Sequence, residues 1–388
     1  MNNLNALEGR IIIRISDKPR SCEVVSSRPL LASRILTGKT ADEALAVIPL
    51  LFNVCGMAQA YAAHKAISTG MTQTHSQAVQ AARELVVLAE TGRENLLRVF
   101  MDWPLLFQME RWCGNLHYLA QLHKDFAAAL FKNGDAFSLT AILKSDILAI
   151  QALISEFEDF LSDHVFKTSP NQWLGFNQAQ LMSWAADSDT IASRSVHQII
   201  ENNWQSAGAV DYCGLPELNA DALTERLDAE DADDFIAFPD WQGSCFETSA
   251  YSRQYRQPLV QSLTETFSTG LLARWVARLV ELAQIPRQMR QWLELLEQTT
   301  LTAPQSSANG LGIVEAARGR LIHRVKMQQG IVKQYQILAP TEWNFHPKGV
   351  LFRSLLSVEE EKADRRQQVM HLLIHAFDPC VGYQLELS

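Results

Sequence analysis

The sequence predicts a mainly α-helical protein with a small β portion, an α+β chain whose β elements lie near both ends. Two observations carry this. Segments 76–101, 107–132, 138–163, 177–203 and 257–300 repeat apolar residues at spacings of three and four, the period of a helix with one buried face. Near the ends the period changes. "EGRIIIRIS" (8–16) has the β-branched character of a strand, and "GRLIHRVKM" and "IVKQYQIL" flank "QQG" (328–330) as two β-like runs around a Gly-containing turn.

In chain order, "TADEALAV" (40–47) starts a helix with a Thr40 cap and Glu43 three residues on, a capping box. Pro49 is expected to end that helix, because its ring blocks the preceding turn. A second helix follows near Cys55. Residues 205–256, richer in Gly, Pro, Asp and Ser, form a loop-rich insertion, and "DAEDADDF" (228–235) in it reads as a solvated acidic face. "APTEWNFHPKG" (339–349) reads as an extended loop whose prolines forbid helix, and a last helix over 358–373 leads into "AFDPC". We read residues 1–388 as one domain, with 205–256 as its insertion and 318–388 as a hairpin plus C-terminal motif region.

A chain of 388 residues, 47% hydrophobic and 20% charged, buries a large core. Its net charge of −9 gives no basic footprint for a phosphate backbone, which argues against nucleic acid as a partner. "MNNLNALEGRIIIRISDKPR" lacks the basic and apolar regions of a signal peptide. The most apolar run, "ALAVIPLLFNVCGMAQAYAA", carries Pro49, Asn53 and Gln59 and reads as a buried helix, not a membrane span. A cytoplasmic protein without membrane insertion is expected. Cysteines stand at 22, 55, 113, 213, 245 and 380 with no CxxC, the pattern of free thiols. Cys22, Cys113, Cys213 and Cys245 are expected to be buried small hydrophobes.

Two cysteines have more specific settings. Cys55, before Gly56 at a helix start, would sit near the positive end of the helix dipole, which favours the metal-binding thiolate. On its own such a cysteine serves packing more often than function. Cys380 follows Asp378-Pro379, which stiffens the turn before it, and where a CxxC pair would have its second thiol there is Tyr383. Spacing alone does not pair them. His371 and His375 in "HLLIH" share a helix face but lack a third ligand, so they are expected to be ordinary helix histidines with a ring nitrogen satisfied locally.

Separated segments, in order, resemble the large subunit of nickel–iron hydrogenases. "LEGRIII" resembles that family's Ile-Glu-Gly-His segment and "NVCGMA" its Arg-x-Cys-Gly-x-Cys motif. "EAARGRLIHRV" with "YQILAPTEWNFHP" resembles its Glu-Ala-Pro-Arg-Gly and Pro-Thr-Thr-Trp-Asn block, and "AFDPCVGY" its Asp-Pro-Cys-x-x-Cys. "ETSAYSRQ" (247–254) is a weaker echo. In the family, four cysteines hold the nickel–iron centre and the second of each motif bridges the metals. Here those second positions are Ala58 and Tyr383, the Arg before the first motif is Asn53, and its downstream His is Ala62. Neither Ala nor Tyr supplies a soft thiolate, so the resemblance implies no working nickel–iron centre, no nickel and no enzyme.

What the resemblance keeps is Cys55 and Cys380, Arg318 at the place of the Arg over the iron, and Thr341 at the place of the Ser/Thr that bonds a cyanide. Arg offers a fixed fork of N–H donors and Thr one rotatable O–H, both suited to an anionic ligand. Glu8 matches a proton-relay Glu and is expected to be a structural remnant. The pattern is similar to the large-subunit-like maturation scaffolds of these hydrogenases. That implies a carrier for the iron dicyanide–carbonyl unit, with a small iron-loading chaperone and the apo large subunit as partners, and without the long C-terminal tail cleaved from hydrogenase precursors. The retained thiols match terminal nickel ligands, so iron held on them sits displaced from its place in the enzyme, or one thiol acts in transfer. The alternatives are a metal-free docking module that mimics the large subunit, and a structural subunit of an oxidoreductase complex; the retained Cys55 and "DPC" argue against the second.

Overall fold

A computed structural model describes residues 9–17, 20–28, 30–52, 54–71, 76–114, 116–297, 309–360 and 362–388. Glu8 and Asn53 lie outside them. The main body is helical, with two three-stranded sheets. Strands β1 (Ile11–Asp17) and β2 (Arg20–Ser26) form an antiparallel hairpin, and the other edge of β1 pairs in parallel with β6 (Tyr383–Leu387), Ile11 facing Tyr383. In the second sheet β4 (Gly319–Gln328) lies between β3 (Leu311–Ala316) and β5 (Ile331–Leu338), all antiparallel. The expected hairpin is β4–β5. β2, β3 and β6 are additions.

Helix α1 (Ala41–Leu51) begins on the expected box: the Thr40 hydroxyl accepts from the Glu43 N–H at 3.3 Å, and the Glu43 carboxylate accepts from the Thr40 N–H at 2.8 Å. Pro49 does not end it. The helix runs two residues further to Leu51, because a proline in the last turn removes only one ladder bond. Helix α2 (Gly56–Gly70) follows Cys55 directly. Helix α3 (Gln77–Leu97) continues through one π turn, Arg98–Asp102, of the kind frequent at functional sites. The segment expected over 177–203 breaks into Gln178–Asp187 and Ile191–Glu201, and that over 257–300 into Pro258–Phe267 and Leu271–Glu297.

The helix Leu271–Glu297 is the centre of the body. Its first half is buried nearly all round, with Leu271, Leu272, Trp275, Val276, Leu279 and Val280 packed together, as in a helix enclosed by others. It packs on α3, Ile147–Leu161 and Ile191–Glu201. Its buried charges are paired: Arg274 with Glu247, Arg278 with Asp378, Glu281 with Arg253.

Residues 339–349 are not wholly extended. Pro340 occupies the first turn of a short helix, Pro340–Asn344, where its missing N–H costs nothing. The last helix runs Ala363–Phe377 instead of 358–373, and a helix not expected, Val350–Leu356, precedes it. Among the described residues no helix is long and apolar enough to cross a membrane.

Candidate metal centre

Five pieces of chain meet around one buried cluster: the start of α2, the inner face of α3 with its π turn, the β3–β4 turn, Pro340–Asn344, and the end of Ala363–Phe377. Cys55 caps α2 in the left-handed region, φ 56° and ψ 38°, an uncommon conformation for a non-glycine residue. The β3–β4 turn carries Arg318. Gly319 follows it at φ +129°, where a Cβ would meet the Thr248 carbonyl oxygen at 1.9 Å, so the turn is pressed against residue 248.

Arg318 is buried, not the surface strand-entry arginine its sequence position alone suggests. Its Nη1 donates to the Cys55 sulfur at 3.0 Å and to Glu94 Oε2 at 3.1 Å, Nη2 donates to the same oxygen at 3.1 Å, and Nε stands 3.4 Å from Asp378 Oδ1. Asp378 also takes Arg278 at 2.9 Å and Arg98 at 2.7 Å. Arg98 reaches on to the Pro379 carbonyl at 3.0 Å, so the first two residues of the "DPC" turn are held by arginines. Beyond it, the Thr341 hydroxyl donates to the Cys380 sulfur at 3.0 Å. Asn344 ties the pieces together, accepting from the Thr248 N–H at 2.8 Å and donating to the carbonyls of Thr248 at 3.0 Å and Arg318 at 3.2 Å.

The structure therefore brings Cys55, Arg318, Thr341 and Cys380 into one cluster. The two sulfurs differ in setting: Cys55 is buried and Cys380 half-buried. The expectation of a thiolate at Cys55 is corrected. Burial pushes this thiol up, and Arg318 offsets only part of the effect, so the metal-free chain holds it protonated.

Ala58 and Tyr383, at the two missing thiol positions, have structural roles. The Ala58 N–H donates to Glu90 at 2.9 Å and that of Met57 to the other oxygen at 2.8 Å, so Glu90 occupies the N-terminus of α2. The Tyr383 hydroxyl meets His371 Nδ1 at 2.8 Å, and its ring packs against His375. His371 is thus satisfied locally, as expected. The Nδ1 of His375 is buried with no hydrogen-bond partner among the described residues.

Sequence reasoning missed Glu90, Glu94, Arg98 and Arg278. For the two carboxylates the signal was the 90/94 spacing, which puts both on the α3 face whose neighbours Ala89 and Leu96 are buried. The other cysteines correct a further expectation. Cys22, Cys213 and Cys245 are only partly buried and Cys113 is exposed, because they sit on an edge strand and in loops. Cys245 faces His346 Nδ1 at 3.2 Å. Among the described residues no group of three or more His, Cys, Asp or Glu is placed to hold a bare metal ion.

Sequence and fold both resemble those of known proteins. The family described as Nickel-dependent hydrogenase matches residues 247–383, which contain Arg318, Thr341 and Cys380. The chain is 26% identical to the hydrogenase expression/formation protein HoxV of Cupriavidus necator, over 100% of this chain and 98% of that protein. It is 28% identical to the hydrogenase expression/formation protein HupV of Azotobacter chroococcum, over 97% and 98%. The uptake hydrogenase large subunit of Rhodobacter capsulatus is 26% identical, over 50% of this chain and 41% of that subunit. In fold, a variant of the [NiFeSe] hydrogenase of Desulfovibrio vulgaris Hildenborough superposes with a TM-score of 0.64 at 15% identity, over 93% of this chain and 92% of that one. Over nearly its whole length the chain is similar to the hydrogenase expression/formation proteins, and over half of it to an uptake hydrogenase large subunit.

Proposed function

We propose that this protein acts in hydrogenase maturation as a non-catalytic carrier of the iron dicyanide–carbonyl unit, which it passes to the apo large subunit of a nickel–iron hydrogenase. The names of its full-length relatives support the maturation role. One observation carries the finer reading: each retained thiol stands 3.0 Å from a donor, Cys55 from Arg318 and Cys380 from Thr341.

The donor set suits this cargo better than a bare ion. Two soft sulfurs are too few to enclose a metal, but an iron that brings its own cyanides and carbonyl needs few more ligands. Cyanide nitrogens accept hydrogen bonds, and a guanidinium and a hydroxyl stand beside the sulfurs to give them. Loading forms two iron–sulfur bonds and releases the two thiol protons. Delivery reverses this, the receiving subunit's thiolates taking the iron and the carrier's sulfurs recovering protons. With Ala58 and Tyr383 at the bridging places, no second pair of thiolates competes to retain the cargo. A small iron-loading chaperone would deliver the unit.

The test is infrared spectroscopy of protein purified anaerobically from cells with an active hydrogenase assembly pathway. Cyanide and carbonyl stretching bands that disappear in Cys55→Ser and Cys380→Ser are expected. A silent spectrum from the wild-type protein rejects the carrier reading in favour of a metal-free docking module.

A further inference from the structure

One thiol outside the cluster is paired with a base. The Cys245 sulfur stands 3.2 Å from Nδ1 of His346 and 3.8 Å from Nε2. The Lys348 N–H donates to the same Nδ1 at 3.0 Å. A backbone N–H can only donate, so Nδ1 carries the lone pair of the ring and Nε2 the proton. The basic nitrogen of a neutral imidazole therefore faces the thiol, which is the arrangement of a nucleophile with its general base.

Both partners are held by backbone. Trp241 and Ser244 exchange main-chain hydrogen bonds at 2.9 and 3.1 Å around Gln242 at φ 54° and Gly243 at φ 75°, a tight turn of the primed hairpin kind, and Cys245 emerges directly from it. Just beyond, the Glu247 N–H donates to the Cys213 carbonyl at 2.8 Å. His346 follows the short helix Pro340–Asn344, and its carbonyl accepts from the Gly349 N–H at 2.8 Å. The imidazole is buried and the sulfur half-buried. The exposed ring of Phe238 meets the imidazole edge to face, centroids 6.1 Å apart, so the pair lies at the surface. Asp240, Lys348, Arg353 and Cys213 are the charged and titratable groups that act on it. Burial raises the thiol and lowers the imidazole, so the resting pair is a neutral thiol beside an unprotonated base.

We propose that Cys245 and His346 form a reactive site apart from the cluster, a base-assisted thiol that exchanges with the disulfides of small thiols. Nδ1 takes the thiol proton while the Cys245 sulfur attacks one sulfur of the disulfide. The old S–S bond breaks as the new one forms, and the departing thiolate recovers the proton from the imidazolium. The disulfide is the oxidant: Cys245 ends in a mixed disulfide, and one small thiol is released. Neither residue belongs to the cluster around Cys55, so this chemistry is independent of whether the protein carries iron.

The test is exchange of the full-length protein with dithiodipyridine, a small uncharged disulfide, followed cysteine by cysteine by mass spectrometry of its peptides. A thiol without a base loses about tenfold in rate for each pH unit below its pKa, because only the thiolate attacks. At Cys245 the rate is expected to change less than about twofold between about pH 7 and pH 8, where the imidazole is already unprotonated. His346→Gln cannot take the proton. It should slow Cys245 at least about tenfold at pH 7 and restore the steep rise to pH 8, while the exposed Cys113 keeps its wild-type rate. A rise of about tenfold at wild-type Cys245 overturns the proposal, as does a His346→Gln rate equal to wild type at pH 7. A slower His346→Gln whose pH slope stays flat also overturns it, since the histidine then only shapes access to the sulfur.

Discussion

The guanidinium of Arg318 touches the Cys55 sulfur at 3.0 Å and stands 3.4 Å from the Asp378 carboxylate, so one side chain joins the two cysteine segments, which lie far apart in sequence. Arg318→Leu leaves Glu94 and Asp378 buried and short of a cation. The expected cost is roughly 3–5 kcal/mol of unfolding free energy, the usual effect of breaking a buried ion pair from one side. Urea titration measures it. Arg318→Lys keeps the charge without the fork, so it should lose less stability and still fail to bind cargo.

Acid should act through Asp378. Burial would raise this carboxyl, but Arg318, Arg98 and Arg278 overcome it and hold it far below the usual carboxylate range. A depressed carboxylate stabilises the fold above its unfolded pKa, about 4, and the contribution is lost as pH falls below that. Wild type should therefore lose stability more steeply than Asp378→Asn between about pH 5 and pH 3. Parallel slopes in urea titrations across that window would contradict the assignment.

Glu90 has the opposite sign. Burial lifts its carboxyl to about 7, against the two N–H groups of α2 that it accepts from. The folded chain then binds a proton that the unfolded chain has released, so this contribution is complete below about pH 4 and fades as pH rises towards 7. Glu90→Gln removes the titration. Compared with wild type, its urea midpoint should be flatter between about pH 5 and pH 7.

Gly319 tests the turn that aims Arg318. A methyl group at φ +129° would overlap the Thr248 carbonyl oxygen, a backbone atom that cannot step aside. Gly319→Ala should cost about 2–3 kcal/mol. Thermal melting reads the loss, and weaker cyanide and carbonyl bands in the loaded protein would show the guanidinium displaced.

Four residues of the cluster were legible in the sequence, because Cys55, Arg318, Thr341 and Cys380 sit in short motifs with fixed neighbours. The second layer was not legible. Glu94 and Arg98 look like solvated helix charges until packing shows which face of α3 is inward, and Asp378 read only as a turn former. Helical periodicity found the long helices but not their breaks, such as the stop between Asp187 and Ile191. Strand β6 has the required alternation in "YQLEL", yet its partner β1 is far off in sequence, and such a pairing leaves no local trace. Pro340 misled because proline forbids helix interiors but suits a helix start.

The parallel pairing of β6 with β1 also sets an order in time. Ile11 leaves the ribosome long before Tyr383, and the two meet only after the residues between them have been made, on the order of tens of seconds later. Cys380 lies just ahead of β6, so an incomplete chain has Cys55 and Arg318 but neither the second sulfur nor the strand that anchors it. The cluster around Cys55 is therefore closed by a residue that the ribosome adds long after Cys55 itself.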